Sequence, residues 1–495
     1  MLNLGDDIID GLPNITGCES EIQEAIASGA KDLIYVQKDI KPFAGIRAGF
    51  ANVLHMHQPL VPAGGSDIKT AKVISNLRYM LDNPTIGDYH DAPTFLHCYE
   101  RMGDFIPDLV AEGHDPRITL EYSGSLLFGL RQMGEDRILE KLKKLTCDPK
   151  FQKNVEWVGM PWAHVVAPST PVQDFKYHVQ AFQQHFASIF GVDALKRIRG
   201  FSPSEMALPN DPDVAYGYIK TLKECGYQWV LIQEHTIELI STGGPLENKY
   251  IPHLLVARSS RGDSVSITAI IKTQGSDSKL IGQMQPYYEA QSLSHKPNTL
   301  AGKDIPPLVT QVADGENGGV MMNEFPSKFL AVMRESSHTP VPPMNVSEYL
   351  EHLSLLGITE DDYPTVQPIM QNRIWSAMKP GDGPERLRAV IEEQRAAGNG
   401  FNMEGGSWTN EISWVKGYEN LLGPMEKLSV ELHEKVGQIE SKGGKIDTKE
   451  ARWRNALFHL LVTQTSCYRY WGQGMWTDFG LEVIRRGREI IEKEF

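Results

Sequence analysis

The stretch AGFANVLHMHQPL, Ala48–Leu60, opens on an apolar run and closes on two histidines, a glutamine and a proline before its last leucine. A short run of this kind, without polar alternation, fits a strand of a parallel sheet, which helices cover on both faces. Working outward, six more segments read the same way. They are RITLEYS (Arg117–Ser123), VEWVGM (Val155–Met160), the start of IRGFSPSEMAL (Ile198–Leu208), YQWVLIQEH (Tyr227–His235), SVSITAIIKT (Ser264–Thr273) and PLVTQVADGEN (Pro307–Asn317). Most are separated by segments of helical period. In Pro171–Gly191 the apolar positions Phe175, Val179, Phe182 and Phe186 share one face, Pro171 suits a first turn and Gly191 a stop. VAYGYIKTLKECG is a second such helix, ending at Gly226. This repeated βα rhythm predicts an α/β fold, a parallel sheet under helices that can close as a barrel. Fewer than eight units make that barrel incomplete or distorted.

The flanks read differently. Residues 1–47 form a polar N-terminal extension, with a helix expected around Glu19–Lys31 and a short apolar stretch at Asp32–Val36. The barrel is expected over residues 48–343. After TPVPPM (Thr339–Met344) five segments of helical period follow, so residues 344–495 are expected to be a helical C-terminal domain packed on the barrel. With 63 acidic against 49 basic residues the net charge is −14, a field that repels phosphate backbones and anionic lipid. Nucleic acid and membrane are therefore not expected partners. No window approaches the roughly 18 consecutive apolar residues of a membrane span, and MLNLGDDIIDGLPNITG lacks the basic and apolar regions of a secretory signal. Five scattered cysteines with no CxxC pair read as reduced thiols, and a cytoplasmic location is expected.

The chemistry is sought at the strand ends. The polar residues that follow the candidate strands are His55 and His57, Ser123, His164, Glu205, Glu234 and His235, and Asp314 and Glu316. In a parallel barrel all of these reach one face, where such folds keep their active sites. Each has a plainer reading. A lone histidine after a strand is more often structural than catalytic. Glu205 could be a helix N-terminal carboxylate, and VADGENGG could be a polar turn. His55 and His57, two residues apart, lie on one side of a strand and suit either a metal or a substrate. Convergence from separate segments tips the balance toward a site. Two carboxyls facing each other across a cleft can do glycoside chemistry, one attacking the anomeric carbon and the other protonating the leaving oxygen. Their pKa values must then differ, and Glu316 could raise Asp314 by like-charge repulsion. Trp157, Trp162, Trp408, Trp414, Trp471 and Trp476 are available as sugar-stacking faces.

At these residues the sequence resembles glycoside hydrolase family 57. FANVLHMHQP is similar to the first family signature, ending in His57-Gln58-Pro59, and VEWVGMPWAH to the second, with His164 at its histidine. IRGFSPSEMAL followed by CGYQWVLIQE resembles the third, whose Glu is the nucleophile, which carries to Glu205. VADGENGG is similar to the fourth, whose Asp is the general acid/base, which carries to Asp314. GGSWTNEISWVKGYEN and YRYWGQGMW resemble the aromatic fifth region and the helical tail. The resemblance implies a distorted (β/α)7 barrel with a C-terminal helical domain. It also implies retaining action on α-linked glucans, without metal or other cofactor, by α-amylases, glucanotransferases, branching enzymes or amylopullulanases. The partner it implies is an oligo- or polysaccharide substrate. The residues expected to bind that substrate are His55, His57, His164, Trp162, Glu234, His235, Glu316, Trp408, Trp414 and Trp471.

The chain departs from the family pattern in places. SPSEMAL lacks the usual aromatic before the proline, GGVMMNEF follows DGEN without the usual aromatic cluster, and Lys272-Thr273 stand where amylase-like relatives have Arg-Asp. Two other readings stand beside the first. One is a catalytically silent carbohydrate-binding relative. The other is a metal-dependent hydrolase of the polysaccharide-deacetylase type, with His55, His57 and an acid as ligands.

Overall fold

In the computed structural model, which describes residues 4–272, 282–316, 323–407, 419–470 and 474–495, all seven apolar runs become strands. They are β1 (Gly49–Met56), β2 (Ile118–Tyr122), β3 (Val155–Gly159), β4 (Gly200–Phe201), β5 (Trp229–Gln233), β6 (Ser264–Lys272) and β7 (Leu308–Asp314). Each pairs in parallel with the next, and β7 returns to β1, so the sheet closes into a (β/α)7 barrel in chain order. The distortion lies at two places. β4 has only two residues, because the prolines of the following SPSEMALP loop cannot donate to a ladder. Among the described residues β6 meets β7 through the single pair Lys272 and Thr310. Gly200 is required by its neighbour, since a Cβ there would lie 2.1 Å from the Trp229 ring.

The barrel wall continues outward from β6. His253–Arg258 pairs antiparallel with it, Thr365–Pro368 lies parallel to that strand, and Ile237–Leu239 closes the wing. The stretch after Met344 is thus not wholly helical. Four residues, TVQP, are too short to show a period, and they become a strand because a partner edge is there to receive them.

At the N-terminal ends of the strands, the helix Val346–Leu355 plugs the floor. Asn345 and Glu348 form a capping box at its start. The carboxylate of Glu156 on β3 accepts from the Val346 and Ser347 N–H groups at 2.7 and 3.1 Å. Trp229 donates its indole N–H to Ser347 at 2.9 Å. The N-terminal residues run along the outside of the barrel. The helix Glu19–Gly29 lies against Val172–Phe190. Further on, the Ile34, Tyr35 and Val36 N–H groups donate to Glu351 on the plug helix.

The tail helices Glu419–Ser441, Ala451–Thr463 and Met475–Glu494 pack on one another near the opposite end. Tyr468 donates to the Leu60 carbonyl at 2.6 Å, and Arg486 donates to the Ile68 and Ala71 carbonyls. All five cysteines are free thiols. Among the described residues no helix is long and apolar enough to cross a membrane.

Candidate active site

His55 is the last but one residue of β1, and its neighbours in register are Glu121 on β2 and Asp314 on β7. Its Nδ1 lies 2.9 Å from Glu121 Oε1. Burial alone would lower this imidazole. The charge and hydrogen bond of Glu121, with smaller contributions from Asp314 and Glu316, outweigh that and push it up to about 10. His55 is therefore a fixed cation at the barrel mouth.

His57 follows the strand. Its Nδ1 lies 2.8 Å from Ser123 Oγ, and its backbone N–H donates to Glu316 at 3.0 Å. His164 sits in the loop after β3 with a left-handed backbone, φ 60°. Its ring stacks on His57 at 4.2 Å and 14°, and lies 4.7 Å from the His55 ring. Burial, reinforced by the neighbouring His55 charge, holds both His57 and His164 well below the usual histidine range, so both are neutral.

Glu205 follows the two-residue strand β4 in the turn Ser204–Met206. Both Glu205 (φ 60°) and Met206 (φ 50°) are left-handed. Such a conformation costs a residue other than glycine about 1–2 kcal/mol. The turn is held from outside: Leu208 and Gly406 exchange both backbone hydrogen bonds, at 2.9 and 3.2 Å. The outcome is that Glu205 Oε1 lies 3.7 Å from His164 Nε2.

Asp314 ends β7 and is exposed at the mouth. The backbone beyond it is anchored by Gly315 N–H on the His55 carbonyl at 2.7 Å. Arg101, stacked 4.6 Å over Phe325, donates to the Gly315 carbonyl at 2.7 Å. Glu316 turns inward, and its Oε1 accepts from the Tyr99 hydroxyl at 2.9 Å as well as from His57. Burial first, and then the charge of Asp314, push Glu316 up to about 7.

The remaining expected residues fall in three groups. Glu234 and His235 stand on the β5 side of the mouth. Glu234 pairs with Lys249 at 2.7 Å, and His235 donates to the Ser407 carbonyl, tying the rim to residues 401–407. Trp162 is a correction. It is fully buried, donates its indole N–H to His185 at 3.1 Å and packs on Gly124 and Phe458, so it has no face for a sugar. Trp157 is also core, against Phe186 and Phe190, while Trp476 packs on Tyr468 and Phe479. Trp408, Trp414 and Trp471 lie outside the described residues.

Four contributors went unread in the sequence. Glu121 had a signal, since a carboxylate inside the apolar run ITLEY must find a partner when the strand is buried. Tyr99, Arg101 and Ser466 had none. Ser466 Oγ lies 2.6 Å from His164 Nδ1 across 302 residues of chain. Among the described residues no group of three His, Cys, Asp or Glu side chains is placed to hold a metal ion.

The architecture is shared with known enzymes. The chain superposes on a 4-α-glucanotransferase from Thermococcus litoralis over 90% of its own length and 60% of that chain, with TM-score 0.54 and 14% identity. A GH57-type branching enzyme from Pyrococcus horikoshii matches over 90% of this chain and 88% of that one, with TM-score 0.55 and 13% identity. An α-amylase from Thermotoga maritima matches over 91% and 94%, with TM-score 0.52 and 11% identity. The chain thus spans about three fifths of the length of the glucanotransferase. No family model matches the chain, and no curated protein matches it in sequence. What is shared at these identities is the fold, a distorted (β/α)7 barrel carrying a helical domain.

Proposed function

We propose that this chain is a retaining glycoside hydrolase or transglycosylase acting on α-linked glucans, with Glu205 as nucleophile and Asp314 as general acid/base. The observation that carries the reading is the pair of left-handed residues in the β4 turn. They aim Glu205 at neutral His164, on the same mouth where β7 delivers Asp314. The fold shared with glucan-active enzymes supports it, as does the order of the motifs.

The steps balance with these groups alone. The Glu205 carboxylate attacks the anomeric carbon while the glycosidic C–O bond breaks, and Asp314 gives its proton to the departing oxygen. The same Asp314 carboxylate then takes a proton from water or a sugar hydroxyl. That oxygen displaces Glu205 with net retention. His55 offsets part of the negative charge that Glu205, Asp314 and Glu316 bring together. His57 offers its Nε2, which is buried without a hydrogen-bond partner, to a sugar hydroxyl. His164 borders the same subsite. Five free thiols support a reducing compartment as the place of action.

The test is incubation with maltooligosaccharides and amylose followed by product analysis. Shorter products alone mean hydrolysis, a ladder of longer and shorter chains means transfer, and new α-1,6 links mean branching. Glu205→Gln keeps shape but removes the attacking charge, and turnover should fall by several orders of magnitude with binding retained. A wild type that leaves all these glucans unchanged, or a Glu205→Gln variant with most of the wild-type rate, defeats the reading.

A further inference from the structure

We infer that Ser466, in the C-terminal tail, is a positioning residue that fixes which ring nitrogen of His164 carries its proton. The inference adds to the reading of Glu205 as nucleophile, and its effect on rate rests on that reading.

The loop around His164 is stitched to the tail on both sides. The Ser466 N–H donates to the His164 carbonyl at 3.1 Å, and Val165 bridges antiparallel to Thr465. Gln464 reaches the same loop through His178, whose Nε2 lies 3.0 Å from Gln464 Oε1 and whose Nδ1 accepts from the Ala163 N–H at 3.3 Å. Gln464 is itself held by fully buried Asp174 at 2.6 Å. Ser466 Oγ then meets His164 Nδ1 at 2.6 Å. The left-handed backbone of His164 is therefore secured by residues 464–466, from a different part of the chain.

The direction of the Ser466 bond follows from electrostatics. His164 is neutral, with His57 stacked on one face, the His55 ring tilted against it at 4.7 Å and the Glu205 carboxylate 3.7 Å from Nε2. If Nδ1 carried the proton, the Nε2 lone pair would point at a carboxylate oxygen, which is repulsive. If the Ser466 hydroxyl donates to Nδ1, the proton sits on Nε2 and points at Glu205, which is attractive. Cys467, in side-chain contact with Ser466, is pushed up to about 12 chiefly by burial and stays a thiol, whose S–H donates to the Ser466 oxygen and leaves the hydroxyl proton for His164. Ser466 thus selects the tautomer that presents an N–H donor to the attacking carboxylate, and the helical tail completes the barrel's site.

The ring nitrogens report this directly. In the full chain labelled with ¹⁵N-histidine, the His164 signals are identified by their loss in His164→Gln. The wild type should show a bare Nδ1 and a protonated Nε2. In Ser466→Ala the pattern should move toward the Nδ1–H form, with kcat down about tenfold and KM within about twofold, because a donor is lost without loss of the binding surface. Ser466→Thr, which keeps the hydroxyl, should restore both. An Nδ1–H wild type overturns the inference whether or not the Ser466 variants fold. A wild-type ring pattern in Ser466→Ala overturns it equally. The tautomer is read without substrate, so a chain that proves inactive on glucans defeats the proposed function and leaves this test standing.

Discussion

Glu156 at the floor of the barrel and Glu316 at its mouth are both buried, and burial pushes both up to about 7. Their surroundings differ. Glu156 faces the start of the plug helix and accepts from two of its backbone N–H groups. Glu351, nearby, accepts in the same way from three consecutive N–H groups of the N-terminal segment. These carboxylates are joints that fasten one segment to another. Glu316 lies beside Asp314, His55 and His57, with the His164 ring stacked on His57, and both His57 and His164 keep a buried Nε2 with no hydrogen-bond partner. A shifted pKa therefore does not tell the two ends apart. The company of other titratable side chains, brought to the mouth by several strand ends, does.

The comparison breaks most sharply on Asp314. Its side chain is exposed and ends a strand, so Asp314→Ala should change stability by no more than about 0.5 kcal/mol. Cleavage of a natural glucan should fall by about 10²–10⁴-fold, the usual contribution of a general acid. The first step on an aryl glucoside that the wild type accepts should suffer much less, because a phenolate leaves without a proton. The glycosyl-enzyme should then accumulate, and azide, which needs no deprotonation, should release it as a glycosyl azide of retained configuration. Equal losses on both substrates with no azide rescue remove Asp314 from the role, and Glu316, or Asp277 outside the described residues, becomes the next candidate.

The floor should show the opposite. Glu156→Ala leaves the Val346 and Ser347 N–H groups buried without an acceptor, a loss of about 2–4 kcal/mol by chemical denaturation. Activity per folded molecule should be unchanged. A variant of full stability and lost turnover would make the floor part of the site.

The same contrast explains what could be read in the sequence. The barrel was legible because each strand is an apolar run buried on both faces, and the polar residue that ends it marks the mouth. Even β4, two residues long, was legible through the prolines and Glu205 that follow it. Thr365–Pro368 was not, since its partner edge is set by tertiary pairing. Trp162 looks like a sugar platform in the sequence because an aromatic near the barrel rim offers a stacking face. The left-handed turn at His164 sends the histidine to the mouth and leaves the tryptophan in the core. Ser466 could not be found at all, because no local pattern links it to a ring 302 residues away.

Trp162 offers a smaller test of that division. Trp162→Phe removes the indole donor to His185 and leaves some unfilled volume beside Gly124, a loss of about 2 kcal/mol. KM for a maltooligosaccharide should stay within about twofold. A tenfold rise in KM at unchanged stability would return Trp162 to the substrate.

The smallest expected effect is a slope, and it tests whether Glu156 is the proton-binding joint described. Its carboxyl is raised from an ordinary 4.5 to about 7 in the folded protein, mainly by burial. The folded state therefore holds the proton more tightly than the unfolded state. The stabilisation this gives is fully present below pH 4.5 and is lost as the pH rises through 7. Between pH 5.5 and 6.5 the unfolded carboxyl is largely ionised and the folded one largely protonated, so the wild type should lose about 1 kcal/mol per pH unit from this group. Glu156→Gln keeps an acceptor for the plug helix but cannot titrate. Glu316 and Glu351 are present in both proteins, and their own pH dependence cancels in the difference. Denaturation curves of the two proteins from pH 5 to 8 should therefore diverge, the Gln variant gaining on the wild type as the pH rises and levelling off above pH 7. Parallel stability curves would mean that the Val346 and Ser347 N–H groups hold Glu156 ionised throughout. The floor would then be an ordinary charged helix cap, with no counterpart there to the raised carboxyl of Glu316 at the mouth.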